Sequence, residues 1–494
     1  MSILKAACIG IAGTFLALQF QNTRKEYGIY LGIAVSIFLF LGMSRNLSVI
    51  RETLELVGSF VKIDAVYLTA MLKILGVTYL AEFAAAICKD AGYQTIAGMC
   101  YEKLRGSDSY AFKFDENWLK VHAGIKLSED INNYPGMQYT QPGSDIFGCF
   151  SDALPDRWGR TLLKRREQIQ AAEEKRAVRT LSSFDYLMGI DDFSRMGGFR
   201  FKKEMEGDYI NVSPSLKIPP LTEIRELVHA SQEVERSEEN DVLPEKKWIA
   251  QLIQPGTSLG GARPKAGVLD EKGNLCIAKF PSRKDDYDAG LWEHFSHLLA
   301  QKAGILVAQT RVLGGLGKYH TLLSKRFDRT AEAKRIHFAS SMSLLGLKDG
   351  DNAQGGYGYL DIVDFILQGC CDVEKNLLEL YRRVVFNICI GNSDDHFRNH
   401  GFLLTPKGWT LSPAYDMNPT LNEYQSLLIN ESSNKADINI LLDSSESYMI
   451  KREEAKIIIQ EVQAAVSQWE SLATLLQIPA REMTMFKKRF KLNL

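Results

Sequence analysis

Residues 384–404 read VVFNICIGNSDDHFRNHGFLL, an apolar segment that runs into a knot of polar side chains and leaves it as a second apolar segment. Enclosing Asn392, Asp394, Asp395, His396 and Asn399 between such runs makes little sense for stability alone, because a buried polar group without a partner costs free energy. The spacing has a chemical use instead. Asp394 and Asn399 stand five positions apart, the offset at which a phosphoryl-transfer loop presents a proton acceptor and then an amide ligand for Mg2+. A solvated, self-capping turn is the other reading of the same residues.

Working outward, WTLSPAYDMNPT (409–420) is a strand-to-loop transition that ends in Asp416, 22 residues after Asp394. A carboxylate leaving a strand beside such a loop supplies a hard oxygen ligand for magnesium bound to phosphates. Upstream, GTSLGGARPKAGVL (256–269) places small residues before an alternating stretch, so backbone N–H groups can approach a polyphosphate while Lys265 adds positive charge. It is not a Walker A loop, and alone it also fits a tight hairpin turn. NLCIAKFPS (274–282) is a short apolar strand around Lys279, and Glu293 lies in the following segment LWEHFSHLLAQKAGI. A strand lysine needs anionic partners if buried; nucleotide phosphates and Glu293 would serve, and an exposed edge lysine is the alternative. Asp416 also fits an N-cap or turn. Taken together, the features run in the order phosphate loop, strand lysine, helix glutamate, base with amide, metal acid, which is the order of a two-lobed protein kinase.

At 494 residues the chain predicts two or three domains. Its 59 basic and 60 acidic residues nearly cancel, which argues against direct nucleic-acid binding. Eight scattered cysteines without a CxxC pair fit a reducing compartment. AFKFDENWLKV (111–121) reads as a strand with a turn, 162–180 as a charged helix, and 231–247 as a solvated helix or a linker. Helical periodicity marks 377–390 and 453–476.

The first 95 residues differ in character. Residues 3–20 and 27–43 are nearly continuous apolar runs separated by QNTRKE, which predicts a membrane-associated αα hairpin; a pair of buried core helices is the alternative. Helical patterns follow at 47–63 and 66–88, where Lys73 and Glu82 favour an interfacial or protein-packed helix over a further span. VYLTAMLKILGVTYLAEFAAAICKDAGYQTIAG (66–98) resembles stage III sporulation protein AD. That likeness stops near Met99, without the last hydrophobic stretch of that family, and implies a fusion or a rearranged reading frame.

From residue 100 onward the chain resembles the HipA family of kinase toxins, through FSDALPDRWGR (150–160), MGGFRF (196–201), SLGGARPKA (258–266), IAKFPS (277–282), SKRFDR (324–329), GNSDDHFRNHGFLL (391–404) and LSPAYDMNPT (411–420). The resemblance implies an α+β, two-lobed protein-kinase-like fold with a β-rich N-terminal subdomain and a mainly helical C-terminal lobe, behind the all-α membrane-associated segment. The corresponding divisions are 1–98, 99–245, 246–330 and 331–494. It makes Gly260, Gly261, Ala262, Arg263, Pro264 and Lys265 the nucleotide loop and Lys279 the phosphate-contacting lysine. Lys325, Arg326 and Phe327 become the hinge beside adenine, with Tyr415 also on the nucleotide. Asp394 becomes the proton acceptor with His396 adjacent, Asn399 and Asp416 the Mg2+ ligands, and Ser258 a site of autophosphorylation. The family's opening strand and turn are missing here, which implies an unpaired sheet edge.

The function so implied is ATP- and Mg2+-dependent transfer of phosphate to a protein serine or threonine, as the toxin of a toxin–antitoxin pair. A helix-turn-helix antitoxin is the implied partner, and an aminoacyl-tRNA synthetase is one substrate of the kind the family modifies. The expected location is the cytoplasmic face of a bacterial membrane, or the cytoplasm if the hairpin does not insert. Two other readings stand beside it: a metal-dependent hydrolase using Asp394, Asp395, His396 and His400, and a non-catalytic membrane component of a sporulation assembly carrying an inactive kinase-like domain.

Overall fold

The computed structural model describes residues 97–104, 107–122, 124–141, 144, 146–202, 208–210, 218–253, 261 and 263–490. The hairpin expected at 3–43 and the helices expected at 47–88 lie outside them. Among the described residues no helix is long and apolar enough to cross a membrane.

Two compact units emerge. The described part of the first holds an antiparallel sheet in the order β1 (Ala97–Leu104), β2 (Ser107–Phe114), β3 (Gln138–Tyr139). β1 is an edge, paired with β2 alone among the described residues. Tyr110, Phe112 and Phe114 alternate along β2 and are buried, the period of a strand with one covered face. Instead of the expected turn, the chain then enters the helix Glu116–His122. Asp115 accounts for the difference: its Oδ1 accepts from Trp118 N at 2.9 Å, an N-cap that starts a helix where composition suggested a bend. The helix stacks Trp118 on Phe114, centroids 5.2 Å apart.

The second unit is built around a four-stranded antiparallel sheet, β4 (Lys265–Leu269), β5 (Leu275–Lys279), β6 (Thr310–Leu313) and β7 (Thr321–Lys325), in the order β4-β5-β7-β6. Strand alternation sorts its two faces. Ala266 and Val268 of β4 and Cys276 and Ala278 of β5 join a core with Leu162, Leu227, Val228 and Val234 from the helices Arg157–Glu173 and Ile224–Glu239. Lys265 and Lys279, directly opposite one another in the register, belong to the other face.

Both helices depart from expectation in their bounds. Asp156 caps the first, its Oδ1 accepting from Gly159 N at 2.7 Å, so it starts five residues before 162. It stops at Glu173, after which Glu167 binds Arg176 and Arg179 and folds the chain back. The stretch at 231–247 is no linker: the helix Ile224–Glu239 carries an apolar stripe onto the sheet, and a second helix, Lys246–Ile253, follows.

Beyond the sheet the chain is mainly helical. The helix Val373–Ile390 is central, with Val384, Val385, Phe386, Ile388, Cys389 and Ile390 all fully buried, as befits a helix apolar on every side of its final turns. Gly391 ends it at φ 72°, a left-handed cap that glycine adopts without strain. A three-stranded sheet in the order β10-β9-β8, from β8 (His337–Ser340), β9 (Gly401–Thr405) and β10 (Gly408–Leu411), frames the loop that follows. The helix expected at 453–476 is two, Arg452–Val466 and Trp469–Leu475.

Candidate active site

The loop after Gly391 separates two adjacent acids. Asp395 turns inward, where its Oδ2 accepts from Tyr359 OH, Asn387 Nδ2 and His400 Nε2, each at 2.7 Å. Burial raises its pKa, but His400 and these hydrogen bonds outweigh that and hold it below the usual aspartate range. Asp394 is left exposed, at the floor of a cleft of about 470 Å³. Its pKa lies above the usual value, because desolvation raises it and Asp416 and Asp395 repel a further charge, with His396 only partly offsetting them. Asn399 is fixed to this loop through its Nδ2, which donates to Asp394 O at 3.1 Å.

Across the cleft, Lys279 at the end of β5 donates to Glu293 Oε1 at 2.6 Å and to Asp416 Oδ1 at 2.7 Å. Burial alone would lower the ammonium pKa, but Asp416 and Glu293 more than reverse it and the net shift is upward. Asp416 responds in kind: desolvation raises its pKa, and Lys279 pulls it well below the ordinary range. Its backbone sits at φ 58°, a left-handed conformation uncommon for a residue with a Cβ. Lys279, Glu293, Asp394, Asn399 and Asp416 all line the one cleft. The cleft lining sets Asp286, Glu293, Asp394 and Asp416 against Arg263, Lys265 and Lys279, and Asp394, Asn399 and Asp416 bring side-chain oxygens to it. Those oxygens suit a hard divalent cation such as Mg2+ arriving with phosphates, which Asn399 and Asp416 would hold.

The remaining expected residues divide. Gly261, Arg263 and Lys265 line the cleft. Arg263 is committed to Asp285 by bonds of 2.6 and 2.8 Å. Lys265 is 1% exposed, and its Nζ donates to Asp156 at 2.6 Å and to Gly261 O at 3.2 Å. Pro264 O accepts from Phe280 N at 2.8 Å, tying β4 to the end of β5. Ser258, Gly260 and Ala262 lie outside the described residues. Arg326 turns its guanidinium away from the cleft into a buried network, donating from Nε to Asp328 at 2.6 Å and from Nη1 to Ser194 O at 2.7 Å. Phe327 and Tyr415 face one another at 5.6 Å, with Tyr415 OH on Arg398 O. Lys325 closes β7. His396 is half-buried beside the loop, its Nδ1 without a hydrogen-bond partner.

Two participants escaped the sequence reading. Asp156, inside the quoted FSDALPDRWGR, is the counter-ion of Lys265, and Trp158 Nε1 donates to Lys265 O at 3.1 Å. Their helix-capping position was readable, but a partner 109 positions away leaves no local trace. Met485 and Phe486, near the end of the chain, also line the cleft. The hydrolase ligand set is not assembled, because Asp395 and His400 are bonded to each other. Among the described residues no group of three or more His, Cys, Asp or Glu side chains gathers where it could hold a metal.

Three family models match this chain. Residues 257–469 match the HipA-like C-terminal domain model, and 94–184 the HipA N-terminal domain model. Residues 3–56 and 71–100 match the stage III sporulation protein AC/AD family. The serine/threonine-protein kinase toxin HipA of Shewanella oneidensis is 23% identical over 228 residues, 41% of this chain and 52% of that protein, so the match spans about half the relative's length. Stage III sporulation protein AD of Bacillus subtilis is 28% identical over 97 residues, 20% of this chain and 73% of that protein. The solved structure of the Shewanella oneidensis toxin–antitoxin system HipA, with HipB and operator DNA, aligns with a TM-score of 0.57 at 18% identity, over 80% of this chain and 93% of that one. The mixed α/β architecture is therefore shared.

Proposed function

We propose that this chain, which joins HipA N- and C-terminal domains to a sporulation AC/AD-like segment, is an ATP-dependent serine/threonine protein kinase. The observation that carries the reading is Lys279, held between Glu293 and Asp416 in the cleft that Asp394 and Asn399 also line. A two-lobed kinase places a strand lysine, a helix glutamate, a base and a metal acid in this relation.

In the mechanism, Lys279 lies against the nucleotide phosphates and Glu293 keeps it directed there. Asp394 orients the acceptor hydroxyl and takes its proton as the oxygen attacks the γ-phosphorus and the bond to the ADP oxygen breaks. Asn399 and Asp416 would hold a Mg2+ that enters with the nucleotide, and it would neutralise the developing charge. Gly261, which lines the cleft, would meet the phosphates through its backbone.

The substrate is a protein hydroxyl; an aminoacyl-tRNA synthetase is the class the family resemblance favours, and a helix-turn-helix antitoxin the partner it favours. Phosphate on Ser258 would repel the nucleotide phosphates and act as an off-switch. The apolar runs at 3–20 and 27–43 support attachment to the cytoplasmic membrane face. Labelled ATP incubated with the full chain and with Asp394→Asn tests the assignment. Transfer by the parent and none by the variant is the expected result, and equal rates would refute it.

A further inference from the structure

The helix Ala289–Lys302, which carries Glu293, is gripped at its start by the far end of the chain. Asp288 caps it, with Oδ1 accepting from Leu291 N at 3.0 Å. Asp288 N in turn donates to both carboxylate oxygens of Glu482, each at 3.3 Å, and Trp292 Nε1 donates to Glu482 Oε2 at 2.8 Å. Glu482 belongs to the C-terminal helix Ala480–Phe486 and is 7% exposed. Among the described residues no lysine or arginine pairs with it. A buried carboxylate without a cation is costly unless donors satisfy it, and here Asp288 N and Trp292 Nε1, from the cap and first turn of the Glu293 helix, satisfy it.

Aromatic packing reinforces the grip from the same segment. Phe486 meets the Trp292 ring at 4.7 Å, and Phe490 meets Phe295 at 6.0 Å. Phe490 is stacked on its other side against Trp469 at 4.3 Å. The C-terminal segment thus sits between the Glu293 helix and the helical body, and Phe486 continues into the cleft wall.

We infer that Glu482 is a positioning residue: it fixes the rotation and advance of the Glu293 helix, and through Trp292 sets where Glu293 meets Lys279. Trp292 and Glu293 are consecutive, so about 100° of helix rotation turns one toward Glu482 and the other toward the cleft. Any shift of the indole is passed to the carboxylate through a single peptide unit. A displacement on the order of 1 Å at a phosphate-aligning group costs roughly a hundredfold in rate.

The inference deepens the kinase reading and rests on it for its catalytic consequence, while the mechanical part is measurable without catalysis. In the full chain, Glu482→Ala is expected to speed amide hydrogen exchange in residues 288–293 at least tenfold while leaving exchange in 377–390 unchanged. Glu482→Gln, which keeps one acceptor oxygen, is expected to restore most of the protection. Phosphoryl transfer from labelled ATP is expected to fall at least tenfold in kcat for Glu482→Ala. In a Glu293→Gln background the same change is expected to have no further effect. Unchanged exchange at 288–293, or a full-sized additional loss in that background, would overturn the inference. If Glu482→Ala does not fold, Trp292→Phe, which removes the indole N–H, supplies the same exchange comparison. A parent chain that transfers no phosphate would remove the kinase reading, and the exchange result would still decide whether Glu482 holds the helix.

Discussion

His400 Nε2 and Asp395 Oδ2 are bonded at 2.7 Å with both side chains at or below 5% exposure, and this pair holds the loop that carries Asp394 from behind. Because it is buried, removing one member leaves the other without its partner. Asp395→Asn is expected to destabilise the protein by about 1–3 kcal/mol, read from the denaturant midpoint. The pH dependence has a definite sign. The folded-state pKa is depressed, so the contribution is complete above the ordinary aspartate value near 3.8 and is lost as pH falls through the lower folded value. The Asn variant is expected to lack this part of the acid dependence.

Asp394→Asn is expected to behave in the opposite way toward stability. The folded site raises the pKa of this acid, so the ionised form is disfavoured there and its neutral replacement should melt at or above the parent temperature. Phosphoryl transfer should fall by roughly 10²–10⁴-fold. In the parent, activity should decline as pH drops through a value above the ordinary aspartate value, and scanning calorimetry beside a transfer assay checks both outcomes.

Asp416→Asn separates metal from nucleotide. Binding of Mg·ATP, followed by titration calorimetry, is expected to weaken at least tenfold. Binding of ATP in excess EDTA should change less, because Lys279 keeps Glu293 at 2.6 Å and remains available to phosphate. Equal losses with and without the metal would remove Asp416 from the ligand set.

That Lys279, Glu293, Asp394, Asn399 and Asp416 belong together was legible in the sequence because they sit in short segments with local spacing. Asp394 and Asn399 share one loop, and Lys279 and Glu293 are separated by a strand end and the start of a helix. What was not legible depends on distant chain meeting in space. Arg326, assigned to a hinge by its place in SKRFDR, serves a buried network with Ser194 O and Asp328, and no local pattern distinguishes the two uses. The helix at 116–122 was hidden because Asp115 resembles a turn residue as much as a cap. Glu482 is the third residue of a short helix, and its role comes from Trp292 and Asp288, 190 and 194 positions away.

Asp156 and Lys265 form a second buried pair, with side chains 2% and 1% exposed. Lys265 also lies opposite Lys279 in the β4–β5 register, where like charges repel once unpaired. Asp156→Asn is therefore expected to destabilise the protein by about 3–5 kcal/mol. Combining Asp156→Leu with Lys265→Met should recover much of that loss in urea melts while weakening nucleotide binding.

The anchoring of β4 from 109 positions upstream limits how the chain can be divided. A recombinant fragment begun at residue 257, where the C-terminal domain match starts, would lose Asp156, the carboxylate bonded to the buried Lys265 ammonium, and the helices that cover one sheet face. Soluble, active truncations are accordingly those that retain residue 156 and the helix it caps, so the excisable unit is larger than the segment bearing the catalytic groups.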